Sequence, residues 1–93
     1  MRNINELEYS DGHIYANVWF KKYIVKIDLD SGVVVDRWNM SSLMAAELKF
    51  VKTFPSLSSR GTNVLNGLAI DTTCPKCFFV SGKNWHLIFK VKL

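Results

Sequence analysis

Apolar and polar positions alternate with a period of two along most of this chain, and short turn-forming clusters interrupt the alternation. Tyr23, Val25 and Ile27 fall on one side of a strand, with Ile24 and Lys26 on the other. β-Branched and aromatic residues are enriched in Asn5 to Tyr9, His13 to Trp19, Lys22 to Leu29 and Val33 to Trp38. Ser10-Asp11-Gly12 and Asp30-Ser31-Gly32 supply turns between them. These four segments predict one antiparallel meander. Ser41 to Phe50 carries the one helical pattern, with Ser41 or Ser42 as cap and Leu43, Ala46 and Phe50 along one face. Thr53 to Thr62 is polar, holds Pro55 and Gly61, and reads as a loop. Val64 to Ile70, Cys77 to Gly82 and His86 to Leu93 predict three more strands.

The two groups of strands are related. Asn5-Glu6-Leu7-Glu8-Tyr9 answers to Asn66-Gly67-Leu68-Ala69-Ile70, and Asn5 and Asn66 stand 61 residues apart. Tyr23-Ile24-Val25-Lys26-Ile27 answers to Leu87-Ile88-Phe89-Lys90-Val91 at a spacing of 64, because the second copy has a longer first turn. Trp19 and Lys83 then share one structural position. A repeat of small antiparallel sheets is the pattern of an all-β fold, the β-propeller, in which each sheet is a blade. Blade one is expected at about 4–39, the helix and loop at 41–62, and blade two at about 63–93. Propellers typically have about 4–8 blades, so two cannot close a ring. Their edges would lie open, which invites association. The chain is therefore expected either to self-associate or to be the C-terminal part of a longer propeller.

Antiparallel pairing puts the start of one strand beside the end of the next. Asn5 and Trp19 are thus expected at one edge of the first blade, and Asn66 and Lys83 at the same edge of the second. Each has a plain alternative. A tryptophan at a strand end is more often a lid on a core than a binding platform. A strand-leading asparagine commonly satisfies a turn. Lys83 can be a solvated loop lysine, and Glu6 and Glu8 half-exposed strand carboxylates.

At 93 residues the chain is one domain or less, with 48% hydrophobic and 22% charged residues. That balance excludes a disordered chain. The net charge is +4, but the basic residues are scattered, and no nucleic-acid-binding signature is present. No apolar run is long enough for a transmembrane helix, and the first residues lack the apolar core of a signal peptide. A cytoplasmic location follows if Met1 is the true start. Cys74-Pro75-Lys76-Cys77 is a C-x-x-C without the second ligand pair a structural zinc needs. It reads as a hairpin turn whose Cys77 begins a buried strand, with a local disulfide open to it in an oxidising compartment. His13 and His86 each stand alone, so no metal site is expected.

Several motifs carry a resemblance. Asn5-Glu6-Leu7-Glu8-Tyr9, then Asp11-Gly12 through Ile14-Tyr15-Ala16-Asn17-Val18-Trp19, Ile27-Asp28, Val64-Leu65-Asn66-Gly67-Leu68-Ala69, and Ser81-Gly82-Lys83 with Trp85 resemble the second half of the plant and bacterial type glutaminyl cyclases, or glutamine cyclotransferases. The motifs occur in family order and cover nearly the whole chain, apart from a longer stretch at 48–60. The resemblance implies a five-bladed β-propeller that converts N-terminal glutamine of peptides and proteins to pyroglutamate and releases ammonia. It implies that Asn5, Trp19 and Lys83 line the substrate pocket, with Asn5 and Lys83 as donors and Trp19 as an apolar wall. Glu6, Glu8, Asn66 and Trp85 are secondary candidates. No cofactor is implied for the reaction. A calcium ion in the propeller channel is compatible with the resemblance, although no acidic cluster here demands one. The family's catalytic glutamate lies in its first half, outside these residues, so this chain alone is expected to be inactive. The competing readings are a non-catalytic binding module and an oligomerising half-propeller.

Overall fold

In the computed structural model, residues 4–18, 21–53 and 65–93 are described, with Ile4 and Asn5 by backbone alone. Seven strands and one helix follow in the order β1 (Ile4–Ser10), β2 (His13–Val18), β3 (Tyr23–Asp28), β4 (Val34–Asn39), α1 (Ser41–Thr53), β5 (Leu65–Ile70), β6 (Cys77–Gly82) and β7 (Phe89–Lys92). Strands β1 to β4 form one antiparallel sheet in sequential order, and β5 to β7 form a second. This is the arrangement of two successive propeller blades, as the repeat predicts. Among the described residues no helix is long and apolar enough to cross a membrane.

The turns follow from local chemistry. Asp11 and Gly12 both have positive φ, 52° and 78°, the pair of values a two-residue hairpin needs to match strand twist. After β3, the Asp28 carboxylate accepts from Ser31 N and Ser31 Oγ at 2.9 and 2.7 Å, and Gly32 takes a φ of 73°. Those Ser31 bonds hold the Asp28 carboxyl below its usual range. The longer β5–β6 turn is tied by Asp71, whose Oδ1 accepts from Thr73 N and Oγ1 at 3.0 and 2.6 Å. Asp71 Oδ2 also pairs with Lys90 Nζ at 2.9 Å. Thr73 first, then Lys90, lowers the Asp71 pKa to about 2. Cys74 and Cys77 are joined by a disulfide within this turn, and Cys77 begins β6 as a buried residue.

The core lies between the sheets. One face of the first presents Tyr15 and Ile24; the second answers with Leu65, Leu68, Phe78 and Val80, and Met40 closes the cluster. Tyr15 and Phe78 meet with ring centroids 4.5 Å apart, and Trp38 stacks with Tyr15 at 6.0 Å. Ala16, Val18 and Val25 form a smaller cluster on the opposite face of the first sheet. Helix α1 differs from expectation. Its first turn is capped by Asn39, whose Oδ1 accepts from Ser41 N at 2.8 Å, rather than by Ser41 or Ser42. Ala46 is exposed, and the inward face runs through Leu43 and Glu47, one helical turn apart.

Candidate functional site

The two sheets carry the same defect at the same place. In the first, Ile4 pairs with Val18 and Leu7 with Ala16, so a bulge takes up Asn5 and Glu6. In the second, Leu65 pairs with Gly82 and Leu68 with Val80, so a bulge takes up Asn66 and Gly67. A bulge re-aims side chains at a sheet edge and ends regular pairing there. Asn5 and Asn66 therefore share a bulge position as well as a strand start. The following turns also match. Lys21 N donates to Val18 O at 3.0 Å, and Trp85 N donates to Gly82 O at 3.1 Å. Lys83 is the second residue of the latter turn and is exposed. Trp19, its counterpart, and the side chain of Asn5 lie outside the described residues.

The loop that carries Lys83 is anchored along its length. Asn84 adopts a φ of 62°, a conformation asparagine tolerates better than most residues. The Trp85 indole lies directly over Gly82, leaving no room for a Cβ there. Its ring then meets Phe89 edge-on at 5.9 Å. Ser81 Oγ donates to Leu87 O at 3.0 Å. Glu47, only 3% exposed, reaches across from α1. Its Oε1 accepts from His86 N at 2.7 Å and Leu87 N at 2.9 Å, and its Oε2 meets His86 Nδ1 at 3.2 Å. Lys83 thus projects from a fixed frame into solvent. An ammonium held this way is a donor for a developing negative charge.

A second cross-link ties the sheets at the same end. Asn17, wholly buried, accepts from Gly67 N through Oδ1 at 2.9 Å. Asn17 Nδ2 and Asn66 Oδ1 are buried atoms with no hydrogen-bond partner among the described residues. Of the other candidates, Glu6 is exposed, Glu8 is half-buried in β1, Asn66 is half-buried at its bulge, and Trp85 is a structural member of the Lys83 loop. Sequence reasoning missed Asn17 and Glu47. The signals were present: Asn17 interrupts an apolar strand on the Tyr15 face, and Glu47 follows Leu43 by four residues. Among the described residues no three His, Cys, Asp or Glu side chains converge as a metal-binding group, so they offer no carboxylate cage for calcium.

The family model for glutamine cyclotransferases matches residues 1–93. The chain is 34% identical over all 93 residues to a glutaminyl-peptide cyclotransferase of Arabidopsis thaliana, and covers 27% of that protein. It superposes on the crystal structure of Myxococcus xanthus glutaminyl cyclase with a TM-score of 0.78 and 33% identity, over 97% of this chain and 35% of that one. The chain thus spans about a third or less of the length of these relatives.

Proposed function

The chain belongs to the glutamine cyclotransferase family, and we propose that, together with further propeller blades, it forms one wall of a pocket that closes an N-terminal glutamine into pyroglutamate with release of ammonia. The observation that carries this reading is the anchored loop that holds Lys83 at the same strand end as the Asn66 bulge.

The substrate's α-amine attacks its own side-chain amide carbon, and a five-membered ring forms. The carbon–nitrogen bond to the amide nitrogen then breaks, and that nitrogen leaves as ammonia. Folding the substrate for this attack is a problem of proximity. Charge develops on the amide oxygen, where fixed donors act most strongly. The Lys83 ammonium and the Asn5 side-chain amide supply such donors, and Trp19 walls the ring. The departing nitrogen needs a proton from a general acid. Glu6 and Glu8 are not assigned that role, and the acid belongs to residues outside this chain. Substrates are peptides and proteins with N-terminal glutamine.

The outer sheet faces support an assembly with neighbouring blades. Leu7 is 54% exposed on one, and Phe79 and Ile88 are 40% and 73% exposed on the second sheet. Apolar side chains spread over a sheet face are the residues an adjoining sheet covers.

Ammonia release from a Gln-initiated peptide tests the reading. The 93-residue chain alone is expected to give none above background. In a propeller completed with the remaining blades, Lys83→Ala is expected to lower kcat/KM by about 100-fold, the usual cost of removing an oxyanion donor. Unchanged kinetics would remove Lys83 from the pocket, and turnover by the chain alone would put the acid within it.

A further inference from the structure

A cavity of about 440 Å³ opens where the two sheets meet, lined by Ser10, Asp11, His13, Tyr15, Lys26 and Lys76, with Pro75 at its edge. It sits at the β1–β2 and β5–β6 turns. Lys83 and Asn66 occupy the other end of the same strands, about 20 Å away at some 3.3 Å per residue. The cavity is therefore separate from the proposed substrate pocket.

Its lining carries more cationic than anionic side chains, with Asp36 standing across the β3–β4 ladder from Lys26. Lys26 and Lys76 contribute two ammonium groups and Asp11 one carboxylate. Among the described residues, neither lysine forms an ion pair; the pairs present are Lys90 with Asp71 and His86 with Glu47. Lys26 Nζ instead lies over the Tyr15 ring, 5.9 Å from its centroid. His13 Nδ1 meets Asp11 O at 3.0 Å, which fixes the imidazole on the wall.

The walls are set before any ligand arrives. The backbone of Lys76, at a φ of 61°, lies inside the four-residue ring closed by the Cys74–Cys77 disulfide, and its carbonyl accepts from Leu93 N at 2.8 Å. On the opposite wall, Gly12 N donates to the Tyr9 hydroxyl at 3.3 Å, and Gly12 O accepts from Leu29 N at 3.2 Å. One cation on β3 and one on the disulfide-closed turn, beside a serine hydroxyl, form a site for a small anion.

We infer that this inter-sheet cavity binds a phosphate-type oxyanion, free or as the phosphate of a small metabolite, between Lys26 and Lys76. The site stands independently of the cyclotransferase reading. The test is a titration of the 15N-labelled full chain with inorganic phosphate at constant ionic strength. Saturable shifts are expected at residues 10–15, 26 and 74–77. Lys26→Gln and Lys76→Gln should each weaken binding about tenfold, as loss of one charge-assisted contact implies. Lys52→Gln, on α1, should leave it unchanged. Lys76 is exposed and Lys26 is half-buried against the Tyr15 ring, so unchanged amide dispersion is required to verify that each variant is folded. Absence of saturation, equal shifts at lysines elsewhere, or wild-type affinity in the Lys26→Gln, Lys76→Gln double variant would overturn the assignment.

Discussion

Glu47→Ala removes a buried carboxylate that ties α1 to the Lys83 loop. Three bonds are lost, at 2.7, 2.9 and 3.2 Å. A hydrogen bond to a charged group contributes roughly 1.5–3 kcal/mol. The sum is reduced on two counts. Burying the carboxylate carries a desolvation cost that the alanine variant no longer bears. His86 is also exposed, so its amide regains water when the carboxylate is gone, whereas Leu87 is half-buried and regains less. A net loss of about 2–4 kcal/mol follows. Glu47→Gln keeps an acceptor for both amides and sacrifices only the ionic character and the imidazole contact, so about 1 kcal/mol is expected. Urea unfolding of the full chain measures both values. Hydrogen exchange localises them: the His86 and Leu87 amides should exchange faster in Glu47→Ala, with the β2 and β3 amides changed only by the global loss. Unfolding free energies within about 0.5 kcal/mol of wild type for Glu47→Ala, with those two amides still protected, would refute the role of Glu47 as the brace of this loop.

Gly82→Ala puts a methyl group where the Trp85 ring lies, so the turn must open; a loss of about 1–3 kcal/mol is expected, with a shift in tryptophan fluorescence that a surface substitution would not give. Asn17→Ala leaves the Gly67 amide unpaired between the sheets and is expected to cost about 1–3 kcal/mol, read by urea unfolding; a neutral result would show that water replaces the Asn17 oxygen. Asp71, with a folded pKa of about 2 against an ordinary 3.8, stabilises the fold while ionised. Stability is therefore present above pH 3.8 and falls as pH drops toward 2, and Asp71→Asn should flatten that part of the acid unfolding profile.

Much of this architecture is legible in the sequence because period-two alternation and Asp-Gly or Ser-Gly turns act locally. The meander and the second sheet come from those signals, and α1 from a separate helical pattern. The equivalence of Asn5 with Asn66 needs only a spacing, and the bulges at both positions obey it. What depends on contacts distant in sequence is less legible. Glu47 and His86 stand 39 residues apart, and nothing in either segment names the other. An apolar-face rule assigns the inward side of α1 to Leu43, Ala46 and Phe50; Leu43 and Phe50 are half-buried, and in place of Ala46 a buried carboxylate satisfied by loop amides turns inward. The same holds for the cap, where Asn39 outcompetes two serines because the preceding strand already positions its side chain. Asn17 reads as one polar residue in a strand until the second sheet brings Gly67 to it.

The Asn17–Gly67 bond also bears on how successive sheets recognise one another. A bulge leaves a backbone N–H outside the regular ladder, and that donor needs a partner. In the second sheet the partner is a side chain of the sheet before it. Glu6 occupies in the first bulge the place Gly67 occupies in the second. Ser81 occupies the place of Asn17, and its hydroxyl donates to Leu87 O in the loop that leads to β7. Between these two sheets the staple runs from Asn17 to the Gly67 bulge. Where Asn17 reaches forward to the next bulge, Ser81 instead anchors the loop that carries Lys83. One repeat position has been given to joining blades and its equivalent to holding the lysine, the division expected if the two sheets carry different parts of one pocket.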